Sequence, residues 1–198
     1  ANGKRVMYTG TGCGNIVALN ARTGEALWRY PVSAGGFSSS VILYKGIVIG
    51  IHDDENLATP EIGGMVAIRT DAQGKPAEVG APIVPNSVEV WRNRERTVSS
   101  SPVLVGERLY VTNRTGELAC VDANNGKVLW QKKLAPDQLH ASPTYADGKL
   151  YVPFQNGTFY ILRPSESDCQ ELEKVQLEGR CLGAPAVYDG KVYVLTTK

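Results

Sequence analysis

Short apolar runs separated by polar, glycine-containing turns fill most of the chain, and their pattern repeats. A Ser-Pro or Ala-Pro step, an apolar run, a turn and a second apolar run begin at Pro102, Pro143 and Pro185, which are 41 and 42 residues apart. A looser copy begins at Ser40, and the distance to the next copy implies an insertion of about twenty residues. Self-similarity at this period is typical of propellers and other repeat folds.

A second motif alternates with the first along the sequence. Residues 18–28 (ALNARTGEALW) align without gaps to residues 120–130 (CVDANNGKVLW). Each motif ends in a tryptophan that lies thirteen residues before an equivalent position of the next repeat, Val41 after Trp28 and Pro143 after Trp130. The two motifs together define one structural unit.

Each unit divides into four apolar runs joined by tight turns. In the third unit these runs predict strands over 101–105, 108–113, 117–122 and 127–134. Asp-Gly, Asn-Gly and Thr-Gly pairs mark the turns, because glycine adopts the positive φ that tight hairpins need. No segment has the length and period of an amphipathic helix. The pattern therefore predicts an all-β chain, a β-propeller of four-stranded antiparallel blades.

The repeat also predicts how many blades are present. The chain begins and ends inside a unit, so we expect blades of three, four, four, four and two strands, which is a little over four blades. We expect residues 1–198 to form a single partial propeller, part of a larger ring of seven or eight blades. The missing blades would come from further sequence or from another chain. The predicted blades cover residues 1–32, 38–92, 99–134, 141–177 and 183–198.

Composition and charge exclude several classes of partner. The formal charge is +1, so no strong field attracts nucleic acid or an anionic membrane. The basic segment 92–96 is interleaved with acid and has no aromatic residues for base stacking, so we expect no nucleic-acid binding. No apolar stretch approaches the roughly 20 residues of a transmembrane helix. The four cysteines follow no metal-ligand spacing, and their redox state stays open.

The segment 18–28 resembles the tryptophan-docking motif of the pyrroloquinoline-quinone (PQQ) type repeat family, and 120–130 is similar. In that family the tryptophan packs against the next blade, and a turn glycine lies beside it. The second unit keeps Ala67 and a tryptophan without the usual spacing, and the fourth has Leu172 where the tryptophan should stand. The resemblance implies that five residues dock the blades: Trp28, Trp91, Trp130, Gly24 and Gly126.

The family contains enzymes and scaffolds. Its quinoprotein dehydrogenases hold PQQ and calcium on the propeller axis, with an aspartate base and a disulfide between adjacent cysteines. Other members are non-enzymatic scaffolds, similar to the lipoprotein of the bacterial outer-membrane assembly machine, or sensor domains of larger proteins. This sequence has no adjacent cysteines. We therefore expect a scaffold without a cofactor. A fragment of a PQQ- and calcium-dependent dehydrogenase and a sensor domain remain the alternatives.

Loops at one end of the blades supply the candidate binding residues. The connections between the second and third strands of a blade share this end with the connections between blades. Three consecutive acids in such a loop are typical of a solvated surface, so no metal site is predicted. The serines and His140 lack the sequence context of a catalytic group. The candidates for binding are His52, Asp53, Asp54, Glu55, Ser39, Ser100, His140, Arg94 and Arg96.

Unusual loops on a regular scaffold are common places for binding. We therefore expect a protein partner to contact residues 52–63 or the second insertion, residues 71–87. The resulting hypothesis is a non-catalytic protein-binding or assembly scaffold of the cell envelope, in the periplasm or secreted space, that contacts its partner through blade-connecting loops.

Overall fold

A computed structural model describes residues 5–75, 77 and 80–198. Within these residues the chain has 17 strands and one short 3-10 helix, Asn86–Val88, which confirms the all-β prediction. The strands pair with their sequence neighbours in antiparallel sheets of three, four, four, four and two strands. Residues 76, 78 and 79, which belong to the predicted contact segment 71–87, lie outside the described residues. No helix in the described residues has the length and apolar character needed to cross a membrane.

The chain separates into two compact units, Ala1–Arg96 and Thr97–Lys198. The first unit holds two blades, which are the first and second predicted from the repeat. Its first blade contains β1 (Val6–Gly10), β2 (Asn15–Asn20) and β3 (Ala26–Pro31). Its second blade contains β4 (Ile42–Tyr44), β5 (Ile47–Glu55), β6 (Ile62–Arg69) and β7 (Glu89–Asn93).

The second unit holds the third and fourth blades and a final two-stranded sheet. The third blade contains β8 (Val103–Val105), β9 (Arg108–Thr112), β10 (Glu117–Asp122) and β11 (Val128–Lys133). The fourth contains β12 (Thr144–Ala146), β13 (Lys149–Pro153), β14 (Thr158–Pro164) and β15 (Cys169–Gln176). The final sheet contains β16 (Ala186–Tyr188) and β17 (Lys191–Tyr193).

A bulge occurs at the same place in each of the first four blades, where the third strand pairs with the fourth. One extra residue in the outer strand shifts the register and increases the local twist. The residue just before the bulge faces a tryptophan in three of these blades. The pairs are Ala18 with Trp28, Ala67 with Trp91, and Cys120 with Trp130. Blade 2 therefore keeps the docking register although its sequence spacing differs.

The fourth blade corrects one prediction made from the sequence. Ile161 holds the position before the bulge, and it pairs with Glu173. Leu172 is the extra residue of the bulge, so its assignment to the tryptophan position was wrong by one residue. The prediction failed because Ile161 and Glu173 are 12 residues apart along the chain, whereas Cys120 and Trp130 are ten apart, so the spacing of the third blade does not hold in the fourth.

Trp28 and Trp130 each lie in a core shared by two neighbouring blades of one unit. Trp28 is buried, contacts Tyr8 with ring centroids 5.8 Å apart, and belongs to a cluster that includes Val48 and Val66 of the second blade. Trp130 is buried against Tyr110 at 5.9 Å, in a cluster whose fourth-blade members are Leu150, Val152, Phe154, Tyr160, Leu162 and Cys169. Large aromatic side chains supply much of the apolar area that such cores bury. Each indole thus holds two blades together.

The turn before each docking strand needs a glycine. Gly24 has a φ of 75° and its N–H donates to the carbonyl of Asn20 at 2.9 Å. Gly126 repeats this geometry with a φ of 74° and a bond of 2.8 Å to Asp122. Other residues adopt this left-handed conformation at a cost of about 1 kcal/mol. The glycines therefore fix the turns that deliver Trp28 and Trp130 to the neighbouring blade.

Part of the second insertion packs back onto the first blade. Lys75 and Ile83 form an antiparallel bridge, and Ile83 also bridges Arg29 of β3 in parallel orientation. The Arg29 N–H donates to the carbonyl of Pro82 at 2.8 Å, and Val84 donates to the Arg29 carbonyl at 3.1 Å. Strand edges left open invite unwanted pairing. These residues of the insertion cover the outer edge of β3.

Candidate partner-binding surface

The hairpin of β5 and β6 in the second blade is longer than its counterparts, and we call residues 52–63 the β5–β6 extension: the end of β5, the connection 56–61 and the start of β6. The hairpin between β9 and β10, by comparison, has only the four residues 113–116 between its shorter strands. In the extension, His52 lies opposite Gly64 and Glu55 opposite Ile62, so one strand contributes an extra residue. This bulge continues the hairpin beyond the body of the blade and presents residues 55–62 at its end.

Asn56 closes the tip of the extension. Its side-chain Nδ2 donates to the carbonyl of Glu61 at 2.7 Å and to that of Gly63 at 2.8 Å. Both amide hydrogens are used in these two bonds, so the side-chain oxygen Oδ1 can only accept. The side chain of Asn56, on the β5 side of the tip, therefore holds the β6 side in place.

Two further side chains donate to the Asn56 oxygen. Arg92 Nη1 lies 2.8 Å from Oδ1, and His52 Nε2 lies 3.1 Å from it. Because Oδ1 accepts, the geometry assigns a proton to His52 Nε2. His52 is 1% exposed, and its ring lies 5.3 Å from the ring of Phe37. Burial is the main cause that lowers the pKa of His52, so the imidazole is neutral at pH 7.

Arg92 extends this network to the first blade. Its guanidinium donates from Nε and Nη2 to the two carboxylate oxygens of Glu89, at 3.1 and 2.8 Å. The Tyr30 hydroxyl donates to the same carboxylate at 2.9 Å. Burial, followed by the bond to Glu89, raises the pKa of Tyr30 to about 12. A two-pronged arginine–carboxylate pair fixes orientation as well as distance. The extension therefore rests on groups from β3 and β7.

Weaker ion pairs lie at the rim of the extension. Arg96 Nε is 3.6 Å from Asp53 Oδ1, and Arg94 Nη2 is 3.1 Å from Glu61 Oε1. The Arg94 side chain is 85% exposed, and exposed pairs of this kind contribute at most about 1 kcal/mol. Asp54 is exposed, and its carboxylate occupies the space beside Gly35 that a Cβ atom there would fill. The rim is charged, and its acids outnumber its arginines.

Apolar side chains project from the same extension. Leu57 is 59% exposed and Ile62 is 55% exposed. Ile62 pairs across the hairpin with the exposed Glu55. A cavity of about 250 Å³ lined by Tyr30, Ala58, Asn86, Glu89, Val90 and Trp91 adjoins the tip. Apolar residues surrounded by a polar rim are typical of protein interaction sites.

Two of the predicted binding serines lie inside the protein. Ser39 is buried, and its hydroxyl donates to the carbonyl of Ile51 at 2.6 Å. Ser100 is buried in the second unit, where its hydroxyl lies 2.7 Å from that of Thr112. These contacts satisfy the polar groups of the inter-blade connections. The structure does not place either serine on the exposed surface of the extension.

His140 is exposed in the second unit and has a partner that sequence reasoning missed. Its Nδ1 lies 3.0 Å from the hydroxyl of Ser99, which also donates to the carbonyl of Leu139 at 2.9 Å. Because the serine has one hydrogen, His140 acts as the donor in this pair. No carboxylate contacts His140 or Ser99 in the described chain. The pair joins the connections before the third and fourth blades.

The described residues provide no fit for the calcium and disulfide of the dehydrogenase branch. They contain no group of three or more His, Cys, Asp or Glu side chains that could hold a metal ion. All four cysteines are free thiols, at positions 13, 120, 169 and 181.

The structure gathers six of the predicted residues at one end of the second blade and adds others to them. The six are His52, Asp53, Asp54, Glu55, Arg94 and Arg96. Sequence reasoning missed Asn56, Tyr30 and Glu89 and gave Arg92 no role in the extension. The sequence distance between Asn56 and Arg92 is 36 residues, so no local motif reports their contact.

Comparisons with known proteins agree with this architecture. The family model described as outer membrane protein assembly factor BamB matches residues 83–170. BamB of Legionella pneumophila (strain Paris) is 26% identical over 191 residues, which cover 96% of this chain and 46% of the relative. BamB of Burkholderia pseudomallei (strain K96243) is 32% identical over 99 residues, covering 50% of this chain and 25% of the relative. The chain spans less than half the length of these relatives.

A solved structure gives the same fold. The crystal structure of BamB from Moraxella catarrhalis superposes with a TM-score of 0.70 and 12% sequence identity, covering 97% of this chain and 52% of that one. At this identity the likeness concerns the fold alone. Together with the repeated docking motif and the BamB relatives, it shows that the chain is similar to the PQQ-type β-propeller repeats of BamB.

Proposed function

We propose that the chain is part of a non-catalytic protein-binding scaffold that acts in outer-membrane protein assembly on the periplasmic side of the cell envelope. The observation that carries the proposal is the similarity to the assembly factor BamB of Legionella pneumophila along 96% of the chain. The proposed scaffold needs no cofactor, and it binds a protein partner.

The β5–β6 extension is the contact surface we propose. Its tip is held by Asn56 before any partner arrives, so binding requires little ordering of the loop. Leu57 and Ile62 offer apolar area, while the exposed Asp54 and Glu55 add negative charge beside it. A partner segment with an apolar side chain next to a lysine or arginine complements this surface.

The function is tested in the bacterium that produces the protein. Deleting the gene should lower the abundance of outer-membrane proteins, measured by mass spectrometry of isolated outer membranes. Restoring the gene should restore their abundance. Unchanged outer membranes after deletion would contradict a role in assembly. Oxidation of an alcohol or sugar by the full-length protein with added PQQ and calcium, in a dye-reduction assay, would contradict the non-catalytic assignment.

The contact surface is tested with matched variants. The double variant Leu57→Ser/Ile62→Ser should reduce the proteins captured by cross-linking in the periplasm. Leu43→Ser serves as the control, because Leu43 is also 59% exposed and lies in β4 of the same blade. Equal loss in the double variant and the control would exclude the extension as the contact surface and leave the scaffold function standing.

A further inference from the structure

The extension contains a titratable group in an unusual position. The chain has two histidines, and of these His140 is exposed while His52 is buried beneath the tip. The His52 Nδ1 atom is buried and has no hydrogen-bond partner among the described residues. The other ring nitrogen donates to Asn56, the residue that closes the tip.

We propose that His52 and Asn56 form a proton-operated latch, which holds the β5–β6 extension closed at neutral pH and releases it in mild acid. The latch would regulate the contact surface described above, and this regulatory meaning rests on the proposed function. The latch itself is a property of the protein alone.

The neutral ring fits its closed position well. Its Nε2–H donates to Asn56, and its Nδ1 needs only to remain an unpaired acceptor. A proton on Nδ1 would create a charged donor without an acceptor, in a site removed from water. Burying such a group is far more costly than burying an unpaired neutral acceptor. The protonated ring is therefore stable only after it reaches water, which requires the extension to open.

The charged groups around His52 act in opposite directions. Arg92 from β7 shares the Asn56 oxygen with His52, and its positive charge opposes protonation. Asp53 and Asp54 from the extension favour protonation, while the ring of Phe37 from the β3–β4 connection offers no hydrogen-bond acceptor. Burial, together with Arg92, outweighs the hydrogen bond to Asn56 and the two aspartates, so the pKa of His52 lies below its ordinary value of 6.5.

The sign of the pH effect follows from this lowered pKa. The open form binds a proton near pH 6.5, whereas the closed form resists it to lower pH. As the pH falls through 6.5, the open form gains population and the closed form does not. Between pH 7.5 and 5.0 the open population should rise by up to about 30-fold, the limit for one group of this intrinsic pKa.

Hydrogen exchange of the purified protein measures this opening. The informative amides are those of Asn56, which donates to the Glu61 carbonyl, and Leu57, which donates to the Val32 carbonyl. Their protection, corrected for the intrinsic pH dependence of exchange, should fall strongly between pH 7.5 and 5.0. The amide of Val66 in β6 serves as an internal reference for the body of the blade. Nitrogen NMR should show the His52 proton on Nε2 at pH 7.5.

Three variants separate the latch from a general acid effect. His52→Gln keeps a neutral donor for Asn56 and should remove the pH response. His140→Asn removes the other imidazole and should leave the response intact. Asn56→Ala should lose protection of Leu57 at both pH values, so it remains informative if His52→Gln folds poorly.

Two results would overturn the latch. One is protection of Asn56 and Leu57 that changes less than about 3-fold between pH 7.5 and 5.0 in the wild type. The other is a His52→Gln variant that responds to acid as the wild type does. Neither measurement involves a partner, so these results leave the scaffold proposal untouched. Conversely, unchanged outer membranes after gene deletion would leave the latch standing.

Discussion

The second and third blades use an asparagine in different ways to close the same connection, the one between their second and third strands. In the third blade, Asn113 accepts from the Glu117 N–H at 3.0 Å, and the Gly116 N–H donates to the Asn113 carbonyl. These partners lie within four residues of Asn113. In the second blade, Asn56 binds two carbonyls of its own loop and also accepts from Arg92, which lies on another strand.

This difference distinguishes the body of the blade, which the two blades share, from the extension, which only the second of them carries. The β9–β10 hairpin, closed by neighbouring residues, contains only the residues that its turn needs. The β5–β6 extension, held by side chains distant in sequence, is longer, and it carries exposed apolar residues and a buried histidine. Both blades keep the same bulge and the same tryptophan register. The body of the blade is therefore constant, and the extension is where a blade can acquire a function.

The largest expected loss of stability tests the body of the blade, where the tryptophans pack. Trp130→Ala removes the indole from the core between the third and fourth blades and should lower the free energy of unfolding by about 3–5 kcal/mol. Trp28→Ala should cost a similar amount in the first unit. Urea unfolding gives both values. The control is Leu129→Ala, whose side chain is 38% exposed and should cost under about 1 kcal/mol. A small loss at Trp130 would show that the indoles do not hold the blades together.

The next largest loss of stability is expected in the tightly packed hairpin between β9 and β10. Gly116 has a φ of 78°, and an added Cβ would lie 2.2 Å from the carbonyl oxygen of Ala135. Because that atom belongs to the backbone, Gly116→Ala should cost about 2–4 kcal/mol. Gly106 also has a positive φ but open space around it, so Gly106→Ala should cost about 1 kcal/mol. Equal losses in urea unfolding would mean that the hairpin can shift to admit the methyl group.

The sequence predicted the constant part because its signals are local. Turn glycines, apolar runs and the period of 41 or 42 residues each depend on neighbours in the chain. The error at Leu172 arose because the paired residues Ile161 and Glu173 are two residues further apart along the chain than Cys120 and Trp130, which a gapless alignment cannot follow. Trp91, whose spacing had diverged, is nevertheless paired with Ala67.

The contact surface was less accessible to sequence reasoning. The charged residues of the extension were identified as candidates, and the structure gathers them at one end of the blade. The groups that shape the extension were missed, because Tyr30, Glu89 and Asn56 meet only through tertiary packing. Ser39 carries a side chain suited to binding, but burial places its hydroxyl on a backbone carbonyl.

Removing the closing asparagine of the second blade should have an intermediate effect. Asn56→Ala leaves the two carbonyls, Arg92 and His52 without their shared partner, so we expect a loss of about 2 kcal/mol in urea unfolding. Leu57→Ala changes the neighbouring exposed residue and should cost under about 0.5 kcal/mol. If the Asn56 variant is as stable as its control, water replaces the amide without loss and the extension is not held by Asn56.

The smallest effect distinguishes the two blades by the pH at which each responds. Hydrogen bonds from Asn113 and Thr115 lower the pKa of Glu117 below its ordinary value of 4.5. A carboxyl group with a lowered pKa in the folded state adds stability above its unfolded pKa, and this contribution is lost as the pH falls through the folded value. The stability difference between the wild type and Glu117→Gln should therefore be constant from pH 7 to 5 and shrink as the pH falls below 4.5. The change should stay below about 1 kcal/mol, since Glu117 is partly exposed.

The contradicting outcome is a stability difference between the wild type and Glu117→Gln that already changes between pH 7 and 5, the range assigned to His52. It would show that the two connections do not titrate separately.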